Sequence, residues 1–170
     1  MQSILKFLLH VPQNLAFAPV FNSQASPNLH KTYFPFIESR AILGCYLQTE
    51  LGHGSDVSRL ETTATFIPAT REFEIHSPTL TSSKWWIGAL GKTATHGVVQ
   101  AKLVLPGGKD IGPHLFFVQL RDLGSFLYLF TTNTLTRRYP DTHEILPGIN
   151  IGDIGFVPCY YHYLVPYCHS

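Results

Sequence analysis

The chain has 170 residues, of which 45% are hydrophobic and 14% are charged, and its formal net charge is +1. This length and composition favour one globular domain with a single sizeable core. The near-neutral charge supplies no basic surface to neutralise phosphates, so no nucleic-acid partner is expected.

Targeting and redox features are sparse. The apolar N-terminal stretch 1–11 is interrupted by Lys6 and His10, and no small-residue cleavage site follows, so no signal peptide is predicted. The apolar runs are shorter than the roughly 20 residues that cross a bilayer, which predicts no membrane span.

Residues 168–170 do not spell the peroxisomal signal Ser-Lys-Leu. The odd number of cysteines (Cys45, Cys159 and Cys168) is interpreted as thiols in a reducing compartment.

One helix and six strands are predicted in chain order. Ser26 and Pro27 suit an N-cap and a first helical position, which predicts a short helix from about Pro27 to Ser39. From residue 41 the pattern changes to short apolar and β-branched runs, typical of strands. The candidate strands are 41–48, 61–66, 72–76, 83–87, 98–105 and 115–120.

Turn residues separate these strands and indicate the fold class. Residues 68–71 and 107–110 are predicted to be hairpin turns. Short strands with such turns favour a mainly β barrel or sandwich over a parallel βαβ sheet. Two later segments fit this pattern poorly: 123–140, which could form one more strand, and the uncharged tail after Gly155, where no secondary structure is predicted.

A glycine-rich loop at residues 49–56 is the first candidate site. It presents a hydroxyl near each end, at Thr49 and Ser55, with backbone amides between them. Such a loop can bind a planar heterocycle, an anion or a carbonyl group, and it also suits an ordinary turn. The phosphate-binding spacings Gly-x-Gly-x-x-Gly and Gly-Lys-Ser/Thr are absent from it.

The tryptophan pair Trp85-Trp86 is the second candidate. On a strand the two rings would point to opposite faces, so one could pack in the core while the other faces a ligand. Both could equally cover the sheet. Gly88 would let a flat ligand approach the backbone closely.

Two other chemistries are disfavoured. Cys159, His162, Cys168 and His169 are possible zinc ligands, but adjacent Cys168 and His169 suit one tetrahedral site poorly. A serine hydrolase is not indicated, because Gly-x-Ser-x-Gly does not occur in the sequence.

Three ordered motifs, at 44–56, 60–65 and 84–88, resemble the peroxisomal-type acyl-CoA oxidases of the wider acyl-CoA dehydrogenase family. The resemblance covers roughly residues 16–122 and 141–155. It implies the end of a helical domain at 1–40 and an FAD-contacting middle-domain β-barrel at 41–155, with 123–140 as inserted sequence. Residues 156–170 are then an atypical tail, and the chain is truncated before a C-terminal helical domain.

The resemblance also implies a reaction. A fatty acyl-CoA and molecular oxygen would give trans-2-enoyl-CoA and hydrogen peroxide, with FAD as the cofactor. A peroxisomal location is implied, together with a homodimer for the intact enzyme. Ser55 is similar to a residue near the acyl-CoA thioester.

Five residues resemble flavin contacts of the family. Thr49 is similar to the threonine that hydrogen-bonds the isoalloxazine ring, and Gly88 is similar to a second FAD contact. Trp86 resembles the aromatic residue that flanks the ring, and Tyr46 and Gln48 lie on the same flavin-facing strand. The chain departs from the family at Ile87 and Ala89, where proline and glycine are usual.

No catalytic residue is assigned. The family's glutamate base lies in the C-terminal helical region, and neither Glu50 nor Glu61 matches it by position. Negligible oxidase activity is therefore predicted for this chain alone. The first alternative is an acyl-CoA dehydrogenase, which differs in its electron acceptor. The second is non-enzymatic: a β-barrel fragment from a defective or mis-predicted gene, or a β-sandwich binding module that keeps the barrel without the flavin.

Overall fold

The computed structural model describes residues 13–123, 143–154 and, for the backbone only, 165–167. The predictions for the N-terminal stretch 1–11, for most of the insertion 123–140 and for the possible zinc ligands after Gly155 lie outside these residues. Within the described part, Cys45 is a buried thiol. No helix of this part is both long and apolar enough to span a bilayer.

The N-terminal part is helical. A π-helical turn, Gln13–Phe17, leads into α1 (Ala18–Gln24), and α2 follows at Pro27–Glu38. The Ser26 side chain accepts a hydrogen bond from the Leu29 amide at 3.3 Å, and Pro27 occupies the first turn, where its missing N–H costs nothing. The predicted helix and its N-cap are confirmed.

A five-stranded mixed sheet forms the centre of the molecule. Its strands are β1 (Gly44–Leu47), β2 (Thr63–Ile67), β3 (Glu72–His76), β4 (His96–Leu105) and β5 (Lys109–Gln119). The longest pairing joins β4 and β5 as an antiparallel hairpin. β1 and β2 both run parallel to β4, and β3 is antiparallel to β2. A separate ribbon pairs β6 (Asn150–Gly152) with β7 (Val165–Tyr167).

The predicted barrel is wrong, because the described strands form a sheet that does not close on itself. The two predicted hairpins are present: Ile67 pairs with Glu72, and Leu105 pairs with Lys109. The sequence signals for those turns are local. The link over 48–62 is long enough to return the chain from the end of β1 to the start of β2, so these two strands run in the same direction. β3 runs back along β2, so the link over 77–95 begins and ends at one end of the sheet, and β4 runs parallel to β2.

The predicted strand at 83–87 is also wrong. Only Lys84 forms a bridge, to Glu50, and Trp86 has φ 66°, which lies in the left-handed region and leaves the extended conformation. The argument that the two tryptophans alternate between the faces of a strand therefore does not apply.

The sheet has two buried faces. On one face Val98 packs with Phe17, Phe21 and Ile37 from the helical part. Gly44 is required there, because a Cβ atom at this position would lie 2.3 Å from the Phe17 ring. The opposite face holds a second cluster of buried residues, Cys45, Leu47, Ile87, Leu90, Ala94, Val99 and Leu120. The segment that follows the tryptophan pair thus packs against the sheet.

Candidate functional site

The two candidate motifs lie side by side. The Trp85 amide donates to the Thr49 carbonyl oxygen at 2.8 Å, and the Leu51 amide donates to the Ser83 carbonyl oxygen at 2.9 Å. The Gly52 amide donates to the Thr81 carbonyl oxygen at 2.9 Å. This short ladder joins residues 49–52 to 81–85, which are about thirty positions apart in the sequence.

A buried ion pair lies at the centre of the ladder. Lys84 Nζ is 3.0 Å from Glu50 Oε1, and the two side chains are 2% and 0% exposed. The ammonium also donates to the carbonyl oxygens of Gln48, at 3.2 Å, and Gln100, at 2.7 Å. An ammonium has three hydrogens, so these three acceptors satisfy it.

The carboxylate of Glu50 is equally well satisfied. It accepts hydrogen bonds from the backbone amides of Glu61, at 2.7 Å, and Thr62, at 3.0 Å, and from the Thr62 hydroxyl at 2.5 Å. Burial of a charge without such partners would be strongly unfavourable. The predictions from sequence do not include this pair. The available signal was two opposite charges directly adjoining Thr49 and Trp85 in a chain with few charges.

The glycine-rich loop is held by a second polar contact. His53 Nε2 lies 2.7 Å from Glu61 Oε1, and the hydroxyls of Thr79 and Thr81 donate to Glu61 Oε2. These hydrogen bonds, that of Thr79 first and then those of His53 and Thr81, lower the pKa of Glu61. A carboxylate with a lowered pKa is a weak general base.

Trp86 and Ser55 are exposed. The Trp86 side chain is 54% exposed although it directly follows the buried ladder. Ser55 lies in the exposed loop, where its carbonyl oxygen accepts from the Val57 amide at 3.1 Å. The exposed indole of Trp86 offers a flat apolar face, and the backbone ladder beside it carries polar groups. Together they suit a planar heterocyclic ligand.

Gly88 opens a tight turn that packs against the sheet. The amides of Thr93 and Ala94 both donate to the Ala89 carbonyl oxygen, at 3.0 and 2.9 Å. The residue with a positive φ here is Ala89, at 71°, and not Gly88. The side chain of Arg121 fastens the same turn, since its Nη2 donates to the Gly91 carbonyl oxygen at 2.9 Å.

Tyr46 and Gln48 take different positions from the loop residues. The Tyr46 side chain packs against the helix-side cluster, and its burial raises the pKa of the phenol. Gln48 contributes its backbone carbonyl oxygen to Lys84. The structure therefore joins Thr49 and Gln48 to the tryptophan segment and places Tyr46 among the helices.

An apolar cavity of about 310 Å³ lies elsewhere, between the helices and the sheet. Its walls are formed by residues of α1, the α1–α2 connection, α2, β4 and β5: Val20, Phe21, Gln24, Ala25, Ser26, Leu29, Val98, Leu115 and Phe117. It is distinct from the ladder that joins the two motifs.

Comparison with known proteins gives consistent relatives, although no family model matches the chain. A putative peroxisomal acyl-coenzyme A oxidase 1.2 from Arabidopsis thaliana is 48% identical over 139 residues, which are 82% of this chain and 18% of that protein. The crystal structure of an acyl-CoA oxidase from tomato (Lycopersicon esculentum) superposes with a TM-score of 0.74 at 45% identity, covering 87% of this chain and 20% of that one.

A further solved structure carries ligands. Acyl-CoA oxidase-2 from Caenorhabditis elegans, bound with FAD, ascaroside-CoA and ATP, superposes with a TM-score of 0.74 at 40% identity. The match covers 88% of this chain and 20% of that one. The chain thus spans about one fifth of the length of the relatives that it matches.

Proposed function

The chain belongs to the peroxisomal acyl-CoA oxidase family, as a segment of about one fifth of the relatives' length, and on that premise we propose that it forms part of their flavin site. The observation that carries this proposal is the backbone ladder between Thr49 and Trp85, which joins two of the three motifs of the resemblance. The oxidation itself, acyl-CoA and oxygen to trans-2-enoyl-CoA and hydrogen peroxide, is proposed for the whole enzyme.

The residues present fit FAD. Trp86 would flank the isoalloxazine ring with its exposed indole, and Thr49 would offer its hydroxyl to the polar edge of the ring. Gly88 would contact the cofactor through its backbone. When bound, FAD supplies the acceptor for the two electrons of the oxidation. FAD is bound in the related C. elegans structure, which supports FAD as the cofactor.

Gln48 and Tyr46 have supporting roles in this proposal. Gln48 would contact the flavin from the chain position before Thr49, with its backbone held by Lys84. Tyr46 packs against the helices, so it would act by fixing β1 rather than by reaching the ring directly.

The proposal extends to the substrate, the cellular location and the oligomeric state of the intact enzyme. Ser55 would lie near the thioester of a fatty acyl-CoA, for which its exposed loop leaves access. A peroxisomal location follows the names of the relatives. A homodimer is proposed for the intact enzyme.

We expect the 170-residue chain to bind flavin with negligible oxidase turnover. Glu50 is bound in an ion pair, and the hydrogen bonds to Glu61 lower its pKa, so both are poorly suited to take an α-proton.

Flavin binding is the direct test. FAD is titrated into the purified, folded chain, and binding is followed by quenching of flavin fluorescence and by the visible absorbance spectrum. Thr49→Val, which removes the hydroxyl and keeps the shape, is expected to weaken binding about tenfold. A Ser23→Ala variant is the matched control, because Ser23 donates its hydroxyl to the Val20 carbonyl oxygen within α1. A folded chain that leaves the flavin spectrum unchanged would favour the non-enzymatic alternative.

A further inference from the structure

The Glu50–Lys84 ion pair joins four stretches of chain beneath the proposed flavin site. Lys84 binds the backbone at Gln48 and at Gln100 of β4, and Glu50 binds the backbone amides of residues 61 and 62. We propose that this pair is the positioning device that sets the Thr49 and Trp86 segments relative to the sheet. The proposal rests on the proposed function.

The location of the pair argues for positioning. Glu50 directly follows Thr49, and Lys84 directly precedes Trp85, so each charge is covalently next to one of the two residues joined by the ladder. The ammonium of Lys84 also lies 2.7 Å from the carbonyl oxygen of Gln100, on β4. A shift of this ammonium would therefore change the position of the Thr49 and Trp86 segments relative to β4.

The chemistry of the pair also argues for positioning. Buried ion pairs contribute little net stability compared with apolar residues of similar volume, whereas they do fix relative geometry in some proteins. Lys84 binds one carboxylate and two carbonyl oxygens, and an apolar side chain could bind none of them.

The test uses the double variant Glu50→Gln/Lys84→Met, which removes both charges and leaves none unpaired in the interior. The exchange rates of the Trp85, Leu51 and Gly52 amides are measured in the chain without flavin. Positioning predicts at least about tenfold faster exchange at these amides, with unchanged rates in the β4–β5 hairpin. Lys102→Met is the matched control, since Lys102 lies on β4 and is half-buried.

The single variant Glu50→Gln keeps the test decisive if the double variant does not fold. Both carboxylate oxygens face donors, namely the Glu61 amide on one side and the Thr62 amide and Lys84 on the other. Either orientation of the glutamine amide therefore sets an NH₂ group against a donor. Exchange at the same three amides should again be faster than in the wild-type chain.

Flavin affinity is the second readout. Positioning predicts that the variants bind FAD at least about tenfold more weakly at temperatures where they are fully folded, while Lys102→Met binds as the wild type does. Unchanged exchange at the ladder amides, or unchanged FAD affinity in a folded variant, would overturn the proposal. A wild-type chain that binds no FAD would instead reject the proposed function, and the exchange rates would still decide whether the ion pair positions the segments.

Discussion

The amide of Trp85 lies 2.8 Å from the carbonyl oxygen of Thr49, so the residue that begins the tryptophan pair is bonded to the residue that begins the glycine-rich loop. The neighbouring side chains form the buried ion pair between Glu50 and Lys84, and the next residue, Trp86, is exposed. Buried polar contacts therefore lie directly beside one exposed aromatic side chain. This arrangement separates residues whose replacement should affect ligand binding from residues whose replacement should affect stability.

Replacing Trp86 should affect flavin binding without unfolding the chain. Trp86 has φ 66° and is 54% exposed, so in Trp86→Gly the relief of backbone strain partly offsets the loss of the buried part of the indole. We expect a modest fall in resistance to urea and about tenfold weaker FAD binding, from the loss of one aromatic contact.

Leu80→Ala is the matched control for Trp86→Gly. Leu80 is 54% exposed, the same fraction as Trp86, and it belongs to the segment just before the ladder. Its replacement should leave FAD affinity unchanged. Equal losses of affinity in the two variants would indicate a general surface effect and not a specific aromatic contact.

Ala89→Gly should stabilise the fold. Ala89 has φ 71°, where an L-residue with a Cβ atom is strained and glycine is not. We expect a gain of about 1 kcal/mol in the free energy of unfolding, measured by urea denaturation at neutral pH. Ala94→Gly, in the same turn but without a positive φ, should lower it, because a fully buried methyl group is lost. A loss of stability in Ala89→Gly would contradict the strained geometry.

Gly44→Ala should destabilise the contact between β1 and the helices. The added Cβ atom would lie 2.3 Å from the Phe17 ring, and Phe17 is fully buried, so the ring has little space to move. Overpacking of this kind costs about 1–3 kcal/mol, which urea denaturation can measure. Gly54→Ala, where nothing lies within 4 Å of the new atom, should be nearly neutral. Recovery of stability in Gly44→Ala/Phe17→Leu would identify the ring as the cause.

His96 should make the fold sensitive to acid. Burial lowers its pKa from 6.5 to about 4, because the neutral ring is stacked on Phe117 in the interior. The folded state binds fewer protons than the unfolded state below pH 6.5. The full contribution of this group is therefore present above pH 6.5, and about 3 kcal/mol of it is lost as the pH falls to 4.

His96→Phe tests this pH dependence. Phenylalanine can keep the stacking on Phe117 and does not titrate, so the free energy of unfolding should fall less between pH 7 and pH 4 than in the wild-type chain. Glu61 contributes acid sensitivity of the same sign in both proteins, since its pKa is lowered in the folded state. Parallel pH profiles of the two proteins would show that His96 does not titrate as expected.

Local sequence signals predicted local structure well. The helix at Pro27–Glu38, its Ser26 cap and the two hairpin turns depend on residues within a few positions of one another, and all are confirmed. The strand predicted at 83–87 is wrong because the backbone leaves the extended region at Trp86, with φ 66°, directly after the bridge of Lys84 to Glu50, although tryptophan favours extended backbone.

The sequence by itself determined the family resemblance, the candidate residues Thr49, Trp86 and Gly88, and the largely β character of the chain. Only the tertiary structure decided that β1 and β2 run parallel to β4, that the sheet stays open and that Tyr46 faces the helices. It alone revealed the Glu50–Lys84 pair. The physical reason is that turn and helix signals act between residues close in sequence. Strand order and buried charge pairs instead depend on which distant segments of the chain pack together and bury their polar groups.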